Sequence, residues 1–242
     1  MMSKGKLKQI LLLTDGCSNE GTDPVAVASL ASEYGITVNV VGILDGRSLS
    51  DQGMEEVQNI ARAGNGVHQL VYSHNLPKTV QMVTRKAMNQ TIQHVVNQEL
   101  KHILGEQEEM DALPPERRGQ VVEVVENLGE TLALDVLILV DTSASMKHKM
   151  ASVSQALRDL SISLQSRAGE NRFSLWTFPG MRDSAELKMD WSTEFTSLDQ
   201  WLASLSPKGT TPTGPALEEA LRYFAGGDVW SDQEGLLEDN AL

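Results

Sequence analysis

Asp141, Ser143 and Ser145 alternate along Asp141-Thr142-Ser143-Ala144-Ser145, where the strongest apolar run of the chain, Leu134 to Val140, stops. Such a run suits a parallel strand buried on both faces. In a tight loop at the strand's carboxyl end, alternate side chains can converge on one point. One carboxylate and two hydroxyls offer only hard oxygen donors, which suit Mg²⁺ or Mn²⁺ rather than zinc with its nitrogen and sulfur ligands. The same residue types also cap helices, so this motif alone supports a structural reading equally well.

Two further segments favour a ligand. Gly209-Thr210-Thr211-Pro212-Thr213-Gly214-Pro215-Ala216-Leu217 is a Gly and Thr rich loop entering a helix, able to present a hydroxyl. Leu11-Leu12-Leu13-Thr14-Asp15-Gly16 ends a second apolar strand in an aspartate. Together the three segments resemble the three metal-site motifs of the von Willebrand factor type A domain family. In that family they follow one another in the order Asp-x-Ser-x-Ser, Gly-Thr loop, strand with Thr-Asp-Gly. Here the segment with Asp15 precedes the one with Asp141, so the chain resembles a circularly permuted member. The resemblance spans residues 7–75 and 133–225.

That resemblance implies an α/β fold of Rossmann-like, doubly wound type. Its sheet is mostly parallel and six-stranded, with one antiparallel edge strand and helices on both faces. It also implies a metal-ion-dependent adhesion site in which Asp141, Ser143 and Ser145 hold the ion, Thr211 adds a hydroxyl, and Asp15 acts through water. Thr211 lies six residues before Leu217, the spacing the family pattern implies, while Thr210 and Thr213 are close enough to compete for the role. Two carboxylates and three hydroxyls leave one coordination position of a divalent cation open, which an Asp or Glu of a protein partner can fill. Two aspartates ~4 Å apart would repel by on the order of 4 kcal/mol at an effective dielectric near 20, so a cation between them is stabilising. The alternative is a hydrolase in which the same cation acts on a phosphoester. No general base beyond the ligands, no phosphate-binding Gly-Lys loop and no nucleophile elbow supports it, so the expectation is a binding module rather than an enzyme.

The elements around these motifs alternate in the first half. Strand signals at Gln9 to Leu13, Thr37 to Ile43 and Val67 to Tyr72 are separated by helical patterns at Pro24 to Tyr34 and Gly53 to Ala63, which favours a parallel sheet covered by helices. Pro77 to Leu104 predicts one long helix, with Met88, Ile92, Val96, Leu100 and Ile103 at helical spacing. Between Gly105 and Glu130 the chain reads as an acidic connector with one short helix. After Asp141, a helix over Lys149 to Ser166 precedes a strand at Phe173 to Phe178. An edge strand at Ala185 to Met189 and short helices at Ser197 to Leu205 and Pro215 to Phe224 follow. The expected organisation is therefore residues 1–75 as the second half of the domain, 76–132 as long helix and linker, 133–225 as the first half, and 226–242 as an acidic tail. A chain divided in this way can close on itself as a monomer or exchange halves as a domain-swapped dimer.

Composition narrows the partners. A net charge of -13 argues against sequence-independent binding to nucleic acid or an anionic membrane, both of which need a positive surface. The apolar run near the start is too short for a membrane span, and the single Cys17 allows no internal disulfide, so a cytoplasmic protein is expected. The five histidines form no close metal pair and read as surface residues, although Lys147 and His148 stand near enough to the first motif to border it. Trp176, Trp191 and Trp201 read as packing residues, and Trp230 lies in the tail.

Overall fold

A computed structural model describes residues 5–44, 51–104, 114–194 and 207–226. The expected helix at Ser197 to Leu205 and the acidic tail lie outside these residues. Three parallel strands come from the first half: β1 (Lys6–Thr14), β2 (Ile36–Leu44) and β3 (His68–Tyr72). Between them run α1 (Pro24–Glu33) and α2 (Asp51–Ala63), followed by α3 (Leu76–Leu104) and α4 (Pro115–Thr131). The second half contributes β4 (Ala133–Asp141), α5 (Met150–Gln165), β5 (Asn171–Phe178), β6 (Glu186–Ser192) and α6 (Thr213–Ala225).

All six strands form one sheet in the order β3-β2-β1-β4-β5-β6, with only the β5–β6 pair antiparallel. The two halves of the sequence are joined along β1 and β4, where Leu13 lies opposite Val140. Both strands are buried on both faces, which explains their unbroken apolar character. Leu11 and Leu13 with Ile138 and Val140 face one core, and Ile10 and Leu12 with Leu137 and Leu139 face the other. The first core is covered by α3 and α5, the second by α1, α2 and α6. Among the described residues, no helix is long and apolar enough to cross a membrane.

The topology creates a crevice. From β1 the chain leaves through α1 on one face of the sheet, and from β4 it leaves through α5 on the other. The carboxyl ends of these neighbouring strands therefore flank a topological switch point, where ligands of open α/β sheets bind.

The expected connector with a short helix differs from what is found. Its described part contains a 17-residue helix, α4, packed on α3. Val125 is buried, and Val121, Leu128 and Leu132 are half-buried against the first core. The helix runs through Gly119 and Gly129, and its apolar stripe is one residue wide, which conceals it in the sequence. Its end is fastened by Arg167, which is buried and donates from Nε to the Gly129 carbonyl and from Nη2 to the Leu132 carbonyl, each at 2.8 Å. Arg167 also donates to the Asn171 side chain. Because Arg167 satisfies carbonyls that a helix terminus leaves orphaned, Arg167→Ala is expected to destabilise the protein by about 2–4 kcal/mol, read as a lowered urea midpoint.

Candidate metal centre

β1 and β4 deliver their terminal residues to the same end of the sheet. Asp141, the last residue of β4, is fully buried. Its Oδ1 accepts the Ser143 amide at 2.7 Å, and its Oδ2 accepts the hydroxyl of Thr14, the last residue of β1, at 2.8 Å. Each carboxylate oxygen retains a further lone pair for a ligand. Burial pushes the Asp141 pKa up to about 6, and the nearby Asp15 charge pushes the same way, against the hydrogen bonds from Ser143 and Thr14.

From there a line of polar side chains runs to the other half of the sequence. The Ser143 hydroxyl lies 3.1 Å from that of Ser145, which donates to Asp15 Oδ1 at 2.8 Å. Asp15 and Ser145 are 130 positions apart in the chain. The Asp15 carboxylate is withdrawn from solvent, with its side chain 0% exposed, and its Oδ2 accepts the Lys149 ammonium, itself 6% exposed.

Thr211 stands beside this line. Its hydroxyl lies 3.7 Å from where a Cβ on Gly16 would be, an ordinary contact distance that sets it beside the residue after Asp15. Reciprocal bonds hold it there: the Thr211 amide donates to Asn19 Oδ1 at 3.0 Å, and the Asn19 amide donates to the Thr211 carbonyl at 3.3 Å. The competing Thr210 donates its hydroxyl to Glu20 at the surface. Thr213 is fully buried, with no hydrogen-bond partner for its hydroxyl among the described residues.

The donor set fits a small hard cation. Among the described residues, no group of three or more His, Cys, Asp and Glu side chains comes together that could hold a metal ion. The candidates here are instead two carboxylates and three hydroxyls, gathered at the switch point with one carboxylate buried at an energetic penalty that a cation would relieve. Asp15, Asp141, Ser143 and Ser145 are brought into one hydrogen-bonded line, and Thr211 is set against its Asp15 end. Lys147 and His148 are exposed, as are His68, His74 and His94. Trp176 and Trp191 pack half-buried against Tyr223.

Sequence reasoning missed Thr14 and Lys149. Thr14 had a signal, since its register against Asp141 follows once β1 and β4 are neighbours. Lys149 had a subtler one: it precedes the first turn of α5, where a cation is disfavoured by the helix dipole unless an acid lies close.

The raised pKa of Asp141 carries a pH dependence. A carboxyl whose folded pKa is raised adds stability that is fully present below the unfolded value of 3.8 and is lost as pH rises through about 6. In chelator, the Asp141 contribution is therefore expected to raise the melting temperature between pH 7.5 and pH 4.5. Subtracting the same melts of Asp141→Asn isolates it.

A family model described as von Willebrand factor type A domain matches residues 136–234, which include the Asp-x-Ser-x-Ser loop, and the doubly wound sheet is consistent with an α/β fold of that type. More particularly, the chain belongs to one family with "Uncharacterized protein YabS" of Bacillus subtilis (strain 168). It is 54% identical to that protein over 239 residues, covering 99% of this chain and 96% of the relative. A crystal structure of an uncharacterized protein from Alicyclobacillus acidocaldarius subsp. acidocaldarius DSM 446 is similar across 91% of this chain and 94% of its own, at 40% identity and a TM-score of 0.84.

Proposed function

We propose that this chain is a metal-dependent protein-binding module. Asp141, Ser143, Ser145 and Thr211 hold Mg²⁺ or Mn²⁺, with Asp15 acting through water, and the ion's open position takes an Asp or Glu of a protein partner. The observation that carries this reading is the hydrogen-bonded line from Asp141 through Ser143 and Ser145 to Asp15. It gathers hard oxygen donors from both ends of the sequence at the switch point. Helix capping accounts for none of the contacts that cross from one half to the other.

In this reading the chain is a circular permutation of the family fold. β1, with Thr14 and Asp15, stands where the family places a strand that comes later in the chain. The domain serves the cytoplasm, works without catalysing a reaction, and binds protein rather than nucleic acid or membrane. The pairing of β1 with β4 that completes the centre is made within a monomer or, by exchange of halves, in a domain-swapped dimer.

Isothermal titration with Mg²⁺ tests the first step: one ion should bind per chain, and Ser143→Ala should lose most of the affinity. Capture of a partner should then disappear in chelator and return with added Mg²⁺. Absence of ion binding in the wild type would remove the proposal. Metal-dependent turnover of phosphoesters that is lost in Ser143→Ala would replace it with the hydrolase reading.

A further inference from the structure

The Lys149 ammonium on Asp15 is a contact of the centre that a simple metal site does not require. A buried lysine is unfavourable unless it is paired, and a cation beside a helix amino terminus is unfavourable again. Lys147 and His148 avoid burial by facing solvent. Lys149 instead turns inward at the start of α5 and meets an aspartate that is itself closed to water. Its backbone does not demand this orientation, because the Lys149 amide bonds the Met146 carbonyl and its carbonyl accepts the Val153 amide whatever the side chain does.

We propose that Lys149 is a built-in counter-ion that sets the charge of the centre, competing with the divalent cation for Asp15 and keeping the loaded centre positive for an incoming carboxylate. This inference rests on the metal-binding reading above. Its logic is a charge count. Without metal, Asp15 and Asp141 carry two negative charges and Lys149 offsets one, so the empty centre holds a single net negative charge. With a divalent ion and Lys149 present, the balance becomes one positive charge. Without Lys149 it would be zero. A carboxylate arriving from a partner therefore neutralises the wild-type centre, whereas it would overcharge a centre lacking the lysine. Lys149 thus weakens the metal and strengthens the acidic ligand, and it leaves a metal-free protein whose two aspartates are not left facing each other uncompensated.

Lys149→Met removes the charge and keeps an unbranched apolar side chain; Lys149→Gln keeps a donor for Asp15; Lys149→Arg keeps the charge. Calorimetric Mg²⁺ titration of all four proteins is expected to show the Met and Gln variants binding at least about tenfold more tightly than the wild type, with the Arg variant close to it. Acetate titrated into the Mg²⁺-saturated proteins and followed by amide NMR shifts should bind several-fold more weakly to the Met and Gln variants. Mg²⁺ binding confined to the Met and Gln variants would overturn the proposal together with the metal-binding reading, since the wild-type centre would then never be loaded. Equal or weaker Mg²⁺ affinity in both neutral variants, beside a wild type that binds, overturns the role of Lys149 and leaves the metal reading standing. Unchanged acetate affinity overturns the ligand half. Absence of binding in all four proteins overturns the metal reading and this inference together. The Gln variant decides the matter should the Met variant fail to fold.

Discussion

Asp141→Asn is expected to abolish measurable Mg²⁺ binding and, in the same protein, to raise the melting temperature of the metal-free form. The two effects share one cause. The Asp141 carboxylate is fully buried, and its pKa is pushed up to about 6 by that burial and by the Asp15 charge. At pH 7.5 it is held ionised against this penalty, on the order of 2–3 kcal/mol. Asparagine occupies the same space. Its carbonyl oxygen can still accept the Ser143 amide, and its amide can donate to the Thr14 hydroxyl in place of the bond now running the other way. Removing the charge should therefore add several degrees in chelator. It also removes the main anionic donor, so the melting curve should no longer respond to Mg²⁺. Differential scanning fluorimetry with chelator and with Mg²⁺ reads both effects. A metal-free Asp141→Asn protein that melts below the wild type would mean that Asp141 serves structure and carries no charge penalty for a cation to relieve.

Gly214→Ala is expected to cost more than about 3 kcal/mol, although alanine ordinarily improves a helix by about 1 kcal/mol over glycine. Gly214 is the second residue of α6, and a Cβ there would lie 1.7 Å from the Thr22 carbonyl oxygen and 2.6 Å from its carbon. Those are backbone atoms of the loop that follows Asp15, and they cannot swing aside as a side chain could. The close approach is reinforced from the other side, where Gly21, at a φ of 82°, lies against the Pro215 ring. Through this contact the loop carrying Thr211 is drawn onto the loop carrying Asp15. Gly214→Ala should therefore weaken Mg²⁺ binding along with stability. Gly119→Ala is the control, since Gly119 is exposed in α4 with nothing within 4 Å of a Cβ, and it should be neutral or slightly stabilising. Urea denaturation of both variants separates the two mechanisms. Equal midpoints would show that the α6 contact yields without penalty.

Much of the centre was legible because its donors sit in short motifs. Asp-x-Ser-x-Ser after a buried strand, Thr-Asp-Gly after another, and a Gly-Thr loop before a helix each express a local requirement, and the structure places all three at one end of the sheet. The strands were legible for a related reason: burial on both faces of β1 and β4 demands an uninterrupted apolar run. The helix α4 was obscured because, among the described residues, Val125 is its one buried apolar side chain, which leaves little periodic contrast against its polar positions. The lysine beside Asp15 was obscured because a charged residue at a helix start ordinarily faces water, and only its burial against a distant acid distinguishes Lys149 from Lys147.

By itself, then, the sequence determined which elements form and which donor atoms they carry, since strand burial, turn chemistry and donor type are short-range properties of neighbouring residues. Tertiary structure alone decided that Ser145 meets Asp15 across 130 positions, that Thr14 bonds Asp141, and that Lys149 meets Asp15. These contacts exist only because β1 pairs with β4. That pairing follows from the cooperative closure of one sheet over two cores, which no local stretch of residues can express.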